Sequence, residues 1–221
     1  MVATVFTTLV FLTDDKSVVN SFTVGNVHIK LDEAKVDTAG VDQGTDRTET
    51  GNDFHLLPGH EYTKDPTVRV QANREECYVR MFVTMNQITE WDEVLAPYKK
   101  DDSTQYTTQD ILTTLSDKWT LHATIEGTDA NGAGVGARTY EFWYSTTVTK
   151  SDEVTNLDAP FGTIKMPKDL TNADLAKIDG ESNNFKIYAV AQAIQADGFE
   201  NATAAFTAAP AITGSDLTPG A

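Results

Sequence analysis

Apolar residues recur at every second position in several segments of the chain, a period that places side chains on one face of a β-strand. The strongest case is the segment 77–85, in which Cys77, Val79, Met81, Val83 and Met85 share one phase. The same alternation predicts further strands at 22–31, 68–70, 119–125, 140–144 and 185–196. No strand–helix–strand rhythm accompanies them, so we predict an all-β fold, specifically a jelly-roll-like β-sandwich with short helical insertions.

The helical insertions are predicted from apolar spacing next to capping residues. One pattern covers Gln87 to Leu95, another covers Ile111 to Leu115 after Thr107 and Thr108, and a third follows Thr171. The Gly-, Asp- and Thr-rich segments 37–53 and 127–137 have the composition of exposed loops or hairpin turns. The Ala-, Pro-, Thr- and Gly-rich segment 207–221 is predicted to be a flexible coil.

The first dozen residues form an apolar run, VATVFTTLVFL, that carries no charge on either face when it is read as a strand. A surface strand alternates apolar and polar positions, so this run predicts a strand that is buried on both sides. It lacks the basic flank and the small-residue cleavage site of a signal peptide, and it is too short and threonine-rich to span a membrane as a helix. We therefore expect a mature, extended N-terminal strand.

These patterns divide the chain into three parts. Residues 1–15 form the N-terminal strand segment, 16–206 form one β-domain, and 207–221 form the tail. A chain of 221 residues is long enough for one large all-β domain with a substantial core.

The charge balance excludes whole classes of partner. A formal net charge of −16, with 17 Lys and Arg against 33 Asp and Glu, disfavours binding to nucleic acid or to acidic membrane surfaces. The single cysteine, Cys77, allows no intramolecular disulfide, and its strand phase predicts a buried core residue rather than a nucleophile.

No motif for catalysis stands out. His55 and His60 are separated by a Pro-Gly turn rather than by the helical spacing of a zinc site, while His28 and His122 fall on polar strand faces. The sequence has neither a GxSxG elbow nor a phosphate-binding loop. We therefore predict no catalytic residues, no enzyme activity and no metal site.

Calcium is the one cofactor that the composition leaves open. Carboxylate and amide oxygens are suitable ligands, and the two acidic loops contain several. These residues are Asp37, Asp42, Asp46, Asp53, Asp129 and Asn131. Because their spacing is irregular, no cofactor is predicted.

Four segments together resemble a known family. They are FLTDDKSVVNSFTVGNVHIKLDEA (11–34), HLLPGHEYTKDPTVRV (55–70), ECYVRMFVTM (76–85) and IYAVAQAIQADGF (187–199). This pattern is similar to the TasA and camelysin family of secreted matrix proteins, which Gram-positive bacteria export through a dedicated signal peptidase. The region 86–184 does not match that family.

The resemblance implies a jelly-roll fold and a role as the subunit of an extracellular filament in a biofilm matrix. In TasA-type fibres the N-terminal segment leaves its own domain and completes the sheet of the next subunit, and such head-to-tail contacts propagate into a homopolymer. The implied donor-strand residues are Ala3, Val5, Phe6, Leu9, Val10, Phe11 and Leu12. Identical subunits are the expected partners, with other matrix proteins as a further option, and the mature chain is not expected to insert into a membrane.

Several alternatives stay open at this stage. Residues 2–12 can instead pair within their own domain, which would give a monomeric surface protein. A camelysin-like metalloprotease is another, although the sequence has no HExxH motif. Glycan binding would need exposed aromatics, whereas Trp91, Trp119 and Trp143 are better explained as core or sheet residues.

Overall fold

The computed structural model describes residues 7–10, 27–127, 136–179, 185–212 and 217. In these residues the chain is mostly antiparallel β-structure with three short helices, as predicted for an all-β protein. The strands are β1 (Thr7–Val10), β2 (Ile29–Val36), β3 (Asp42–Thr48), β4 (Glu61–Thr63), β5 (Thr67–Val70), β6 (Cys77–Met85), β7 (Leu112–Leu115), β8 (Trp119–Glu126), β9 (Arg138–Tyr144), β10 (Thr155–Asn156), β11 (Phe161–Lys165) and β12 (Ile187–Gln195). The helices are α1 (Ile88–Leu95), α2 (Asn172–Ile178) and α3 (Ala202–Ala208).

The strands form three sheets. The largest has the order β1-β12-β6-β9-β8, the second β10-β5-β2-β3, and the third β4-β11-β7. The neighbours pair in antiparallel fashion throughout. The main hydrophobic cluster contains residues of all three sheets and of α1 and α2, so it forms a common core beneath them.

Strand β6 confirms the alternation read from the sequence. Cys77, Val79, Met81, Val83 and Met85 are all essentially fully buried in the main cluster. Burial raises the pKa of the Cys77 thiol to about 12, which keeps it protonated and unreactive at neutral pH. Cys77 is therefore a core residue, as predicted.

Helices α1 and α2 lie where the sequence placed them. Thr171 caps α2 by accepting a hydrogen bond from Asp174 N at 3.2 Å, and Asp174 Oδ2 accepts one in return from Thr171 N at 3.0 Å. This is the reciprocal capping box expected of a Thr followed three residues later by an acidic residue.

The helix predicted from Ile111 to Leu115 is wrong. Only a 3₁₀ turn forms at Thr108–Ile111, and Leu112 begins β7. The β-branched Thr113 pairs with Thr163 of β11, and their hydroxyls lie 2.6 Å apart. Cross-strand pairing of β-branched residues thus overrides a weak helical pattern.

The segment 37–53, predicted as exposed loop or hairpin turn, contains strand β3, which pairs with β2 at the edge of the second sheet. Its residues are mostly exposed, so it has no apolar face that alternation could reveal. Most of the other predicted loop, 127–137, lies outside the described residues.

Among the described residues after β12, one helix extends into the segment 207–221, which is predicted as a coil. Asn201 caps α3, which extends to Ala208 and so crosses the domain boundary placed at residue 206. Phe206 and Ala205 pack on Ile194 of β12, while Leu217 packs in a cluster with Val190. These C-terminal residues therefore cover the face of the largest sheet that points away from the main core.

Candidate assembly site

The first described strand, β1, lies at the edge of the largest sheet and pairs with β12 of the same chain. The register joins Thr7 to Gln192, Thr8 to Ala191, Leu9 to Val190 and Val10 to Ala189. Strand β12 pairs with β6 along its other edge. The edge of β12 that β1 occupies is the candidate acceptor slot for a donated strand.

Strand β12 is enclosed on both faces. Ala189, Ala191 and Ala193 belong to the main cluster, and their small side chains match the small-residue face expected from the sequence. Val190 and Ile194 point to the opposite side, beneath the C-terminal residues. Apart from Gln192, a strand added beside β12 consequently lies next to apolar residues on both faces of the sheet, as the charge-free N-terminal run requires.

The register assigns the two faces of β1 to different surroundings. Residues paired across antiparallel strands share a face of the sheet, so Leu9 takes the position beside Val190 and Val10 the position beside Ala189. A slip of one residue would exchange these faces. Because both faces of the run are apolar, hydrophobicity alone does not determine the register.

A buried polar contact marks one position of the slot. Arg80 Nε of β6 donates to Gln192 Oε1 at 2.7 Å, and Arg80 Nη1 donates to Glu141 Oε1 of β9 at 2.9 Å. Burial lowers the pKa of the Arg80 guanidinium, while the Glu141 carboxylate opposes that shift. The contact ties three neighbouring strands together at Gln192, the residue opposite Thr7.

Of the predicted donor-strand residues, Leu9 and Val10 lie in β1 at these register positions. The others lie outside the described residues: Ala3, Val5, Phe6, Phe11 and Leu12. The structure thus bears on the central part of the predicted donor strand only.

The histidines lie on or near the surface. His55 is exposed, whereas the His60 ring lies 4.6 Å from the Tyr62 ring and its Nε2 lies 2.8 Å from the Ala39 carbonyl oxygen. His28 and His122 are exposed on their polar strand faces, as predicted, and His122 stacks on Trp143 at 3.7 Å. Within the described ranges no three His, Cys, Asp or Glu side chains gather closely enough to hold a metal ion.

Two acids of the candidate calcium loop instead accept hydrogen bonds from nearby backbone N–H groups. Asp37 Oδ1 accepts hydrogen bonds from Ala39 N and Val41 N, each at 3.0 Å, and Asp42 Oδ1 accepts one from Gly44 N at 2.9 Å. Asp129 and Asn131 of the second loop lie outside the described residues.

One polar cluster was missed by reasoning from the sequence. Glu33 of β2, Asn52 and Lys64 meet in the interior, where Glu33 accepts hydrogen bonds from both of the others. A signal for it exists in the alternation of β2, because Glu33 continues the inward phase of Ile29 and Leu31. A charged residue in an inward phase indicates a buried partner.

Among the described residues, no helix has the length and apolar character needed to cross a lipid bilayer. Comparison with known proteins gave no match to any family model, curated protein or solved structure.

Proposed function

We propose that the protein is the structural subunit of an extracellular filament, in which each subunit donates its N-terminal strand to the next. The observation that carries this proposal is the position of β1 at the edge of the largest sheet, beside the enclosed strand β12. The two strands are far apart in the sequence. The same slot in a second copy would accept the same segment with the same register.

The pairing of β1 in a single chain and its donation to a neighbour use identical contacts. In the described residues, β1 has β12 as its strand partner and no strand on its other side. An edge strand of this kind can be exchanged between copies without disturbing the order of the remaining strands. Main-chain hydrogen bonds would supply affinity, and the alternating side chains would supply register.

The chain between the donated strand and the domain is long enough for exchange. Residues 11–26 separate β1 from the first described residue of the domain, Val27. Sixteen residues can extend over roughly 55 Å, whereas a compact chain of this length has a diameter of about 45 Å. The segment can therefore reach the corresponding slot of an adjacent subunit.

Exchange in this form is head to tail. In the proposed arrangement each subunit gives its strand to one neighbour and receives a strand from another, so the contact propagates from subunit to subunit. Repetition produces a filament. A jelly-roll topology, secretion and a place in a biofilm matrix are further parts of this proposal that rest on the resemblance to the TasA and camelysin family.

The test is deletion of residues 1–12 followed by complementation. We expect the truncated protein to remain folded and to lose polymerisation, because strands β12, β6, β9 and β8 still form a continuous sheet. A synthetic peptide of residues 1–15 should bind the truncated protein, whereas the same peptide with Leu9→Asp should not, since a charge opposite Val190 would be buried without a partner. Sedimentation, circular dichroism and peptide-binding calorimetry provide the readouts.

The competing function, a monomeric surface protein, gives a different pattern. In that case the full-length chain would stay monomeric over a wide concentration range, and deletion would only lower the free energy of unfolding. Unchanged polymerisation after deletion would show that another surface forms the joint.

A further inference from the structure

Three polar side chains are enclosed together beneath β2. The exposed fraction is 0% for Glu33, 1% for Lys64 and 8% for Asn52. Glu33 lies within β2, Lys64 directly follows β4, and Asn52 lies between β3 and β4. Three separate stretches of chain thus bring an amine, a carboxylate and a carboxamide into one water-excluded site.

The contacts order these groups around the carboxylate. Lys64 Nζ donates to Glu33 Oε2, and Asn52 Nδ2 donates to Glu33 Oε1 at 2.7 Å. The amine and the carboxamide nitrogen are therefore held on the two oxygens of a single carboxylate. Such an arrangement allows Glu33 to exchange protons with both nitrogens.

The carboxamide itself is fixed and polarised. Asn52 Oδ1 accepts a hydrogen bond from Val36 N at 2.9 Å, and Asn52 Nδ2 also donates to the Ala34 carbonyl oxygen at 2.8 Å. A backbone N–H aimed at the amide oxygen would stabilise negative charge that develops there during nucleophilic attack on Cγ. Both ends of the carboxamide are thus in contact with β2.

Burial favours the neutral form of the Glu33 carboxyl. Desolvation raises the pKa of the Glu33 carboxyl, an effect that Lys64 and Asn52 only partly oppose. Moving a proton from the Lys64 ammonium to Glu33 replaces two buried charges by two neutral groups. The resulting free amine is a competent nucleophile.

We propose that Lys64 and Asn52 are joined by an intramolecular isopeptide bond, formed within this site with Glu33 as the proton-transfer group. Lys64 Nζ, after giving one proton to Glu33, attacks Asn52 Cγ to form a tetrahedral intermediate. Glu33 passes that proton to the departing Nδ2, which leaves as ammonia, and takes a second proton from Nζ, so that the new amide nitrogen keeps one hydrogen and Glu33 ends protonated. One N–C bond forms, one N–C bond breaks, and no oxidant or external reactant is required.

The bond would be a covalent tie in a chain that has no second cysteine for a disulfide. It would join the segment after β3 to the start of the β4–β5 connection, across the buried Glu33 of β2. This proposal does not depend on polymerisation, because every participating atom belongs to one domain.

The first measurement is the intact mass of the purified full-length protein under denaturing conditions. We expect a mass lower by one ammonia than that of the sequence. Trypsin should fail to cleave after Lys64. Chymotryptic cleavage after Phe54 and Tyr62 separates Asn52 from Lys64 in the chain, so the two fragments should stay joined.

Three variants test which side chains form the bond and which one transfers the protons. Lys64→Arg retains the positive charge but lacks the reactive amine, and it should show no loss of ammonia. Glu33→Gln preserves the shape of the carboxylate and should reduce the linked fraction at least tenfold in protein that circular dichroism shows to be folded. Asn131→Gln controls for ammonia loss by cyclisation at Asn131-Gly132, and it should leave the bond intact.

Three results would overturn the proposal. One is a full-length wild-type mass with separate Asn52 and Lys64 fragments. Another is an ammonia loss that persists in Lys64→Arg. The third is a loss of water that maps to Glu33 and Lys64, which would assign the bond to the carboxylate instead.

Discussion

At the scale of single residues, Tyr62 and Gly40 explain the geometry of the Leu-Pro-Gly turn. Tyr62 is fully buried, and its hydroxyl accepts a hydrogen bond from Leu57 N and donates one to the His55 carbonyl oxygen, both at 2.7 Å. Gly40, which has a φ of +76°, lies against the backbone and the ring of Tyr62. The turn is therefore held by a tyrosine hydroxyl that substitutes for backbone pairing.

Gly40→Ala should destabilise the fold by roughly 2–4 kcal/mol, because the left-handed conformation is strained and the new Cβ is overpacked. That Cβ would lie 2.7 Å from Tyr62 Cα, which cannot move away as a side-chain tip could. Gly198→Ala is the matched control, since its φ is +87° but the space around it is open, and strain alone should cost about 1–2 kcal/mol. Urea unfolding measures both, and equal losses would contradict the packing argument.

Asp174 links the stability of α2 to acid pH. Hydrogen bonds from the Thr171 side chain and backbone, and from the Tyr98 hydroxyl, lower the pKa of Asp174 from 3.8 to about 2. A carboxyl whose pKa is lowered in the folded state contributes stability above its unfolded pKa and loses it as the pH falls through the folded value. This contribution should disappear between pH 4 and pH 2.

Asp174→Asn should therefore show a smaller decrease in stability than the wild type when the pH is lowered from 4 to 2. Thermal unfolding at stepped pH measures the difference. Asp117→Asn, at an exposed position, serves as the control for a changed net charge. An identical pH dependence in the Asp174 variant and the wild type would contradict the role of the capping box.

At the scale of elements, the alternation of apolar and polar residues was sufficient to predict a strand where one face of that strand is buried and the other is exposed. Strand β8 is the clearest example, because Trp119 is buried while Thr120 and His122 are exposed. The alternation did not predict β3, because this strand is polar on both faces. Strand β3 depends instead on contacts with residues that are distant in sequence. One of these is the ion pair from Arg47 to Asp65, at 2.8 Å.

The polar cluster of Glu33, Asn52 and Lys64 could be predicted only in part. The inward phase of Glu33 indicates a buried partner, but nothing in the sequence identifies which of the many polar residues supplies it. The answer depends on how β2 and the end of β4 approach each other in the fold. Similarly, the apolar N-terminal run predicts a two-sided burial site without showing that β12 provides it.

The contact of α3 with the largest sheet leads to a prediction about Phe206. This ring is almost fully buried, lies 5.0 Å from Trp143, and has the Arg80 guanidinium 4.5 Å above it. Phe206→Ala should lower the free energy of unfolding by about 3 kcal/mol and expose the outer face of β12. Thr207→Ala, at an exposed position of the same helix, should have little effect.

Chemical unfolding and dye binding to exposed apolar surface measure these effects. If Phe206→Ala unfolds like the wild type, then α3 does not stabilise the sheet. Binding of the dye only to the Phe206 variant would show that the helix protects this face.

At the scale of the whole molecule, the question is whether β1 stays in its own chain or enters another. Leu9 and Val190 lie opposite each other, so a cysteine at each position can report the pairing. Cys77 is fully buried and should not interfere. We expect a mixture of the single variants Leu9→Cys and Val190→Cys, refolded together and then oxidised, to form disulfide-linked pairs of different chains.

The double variant Leu9→Cys/Val190→Cys completes the experiment. In a donated arrangement it should give a ladder of linked chains on a denaturing gel, whereas an intramolecular strand would give only cross-linked monomers. No linkage in either the mixture or the double variant would contradict the register of β1 and β12.

The pairing of β1 with β12 also has a consequence for the order of events during synthesis. Strand β1 leaves the ribosome long before its partner β12, because all the other described strands lie between these two in the chain. Contacts between such distant segments form late, because closing a long loop is entropically costly. Until β12 has emerged, β1 therefore lacks the strand with which it pairs in the described part of the chain.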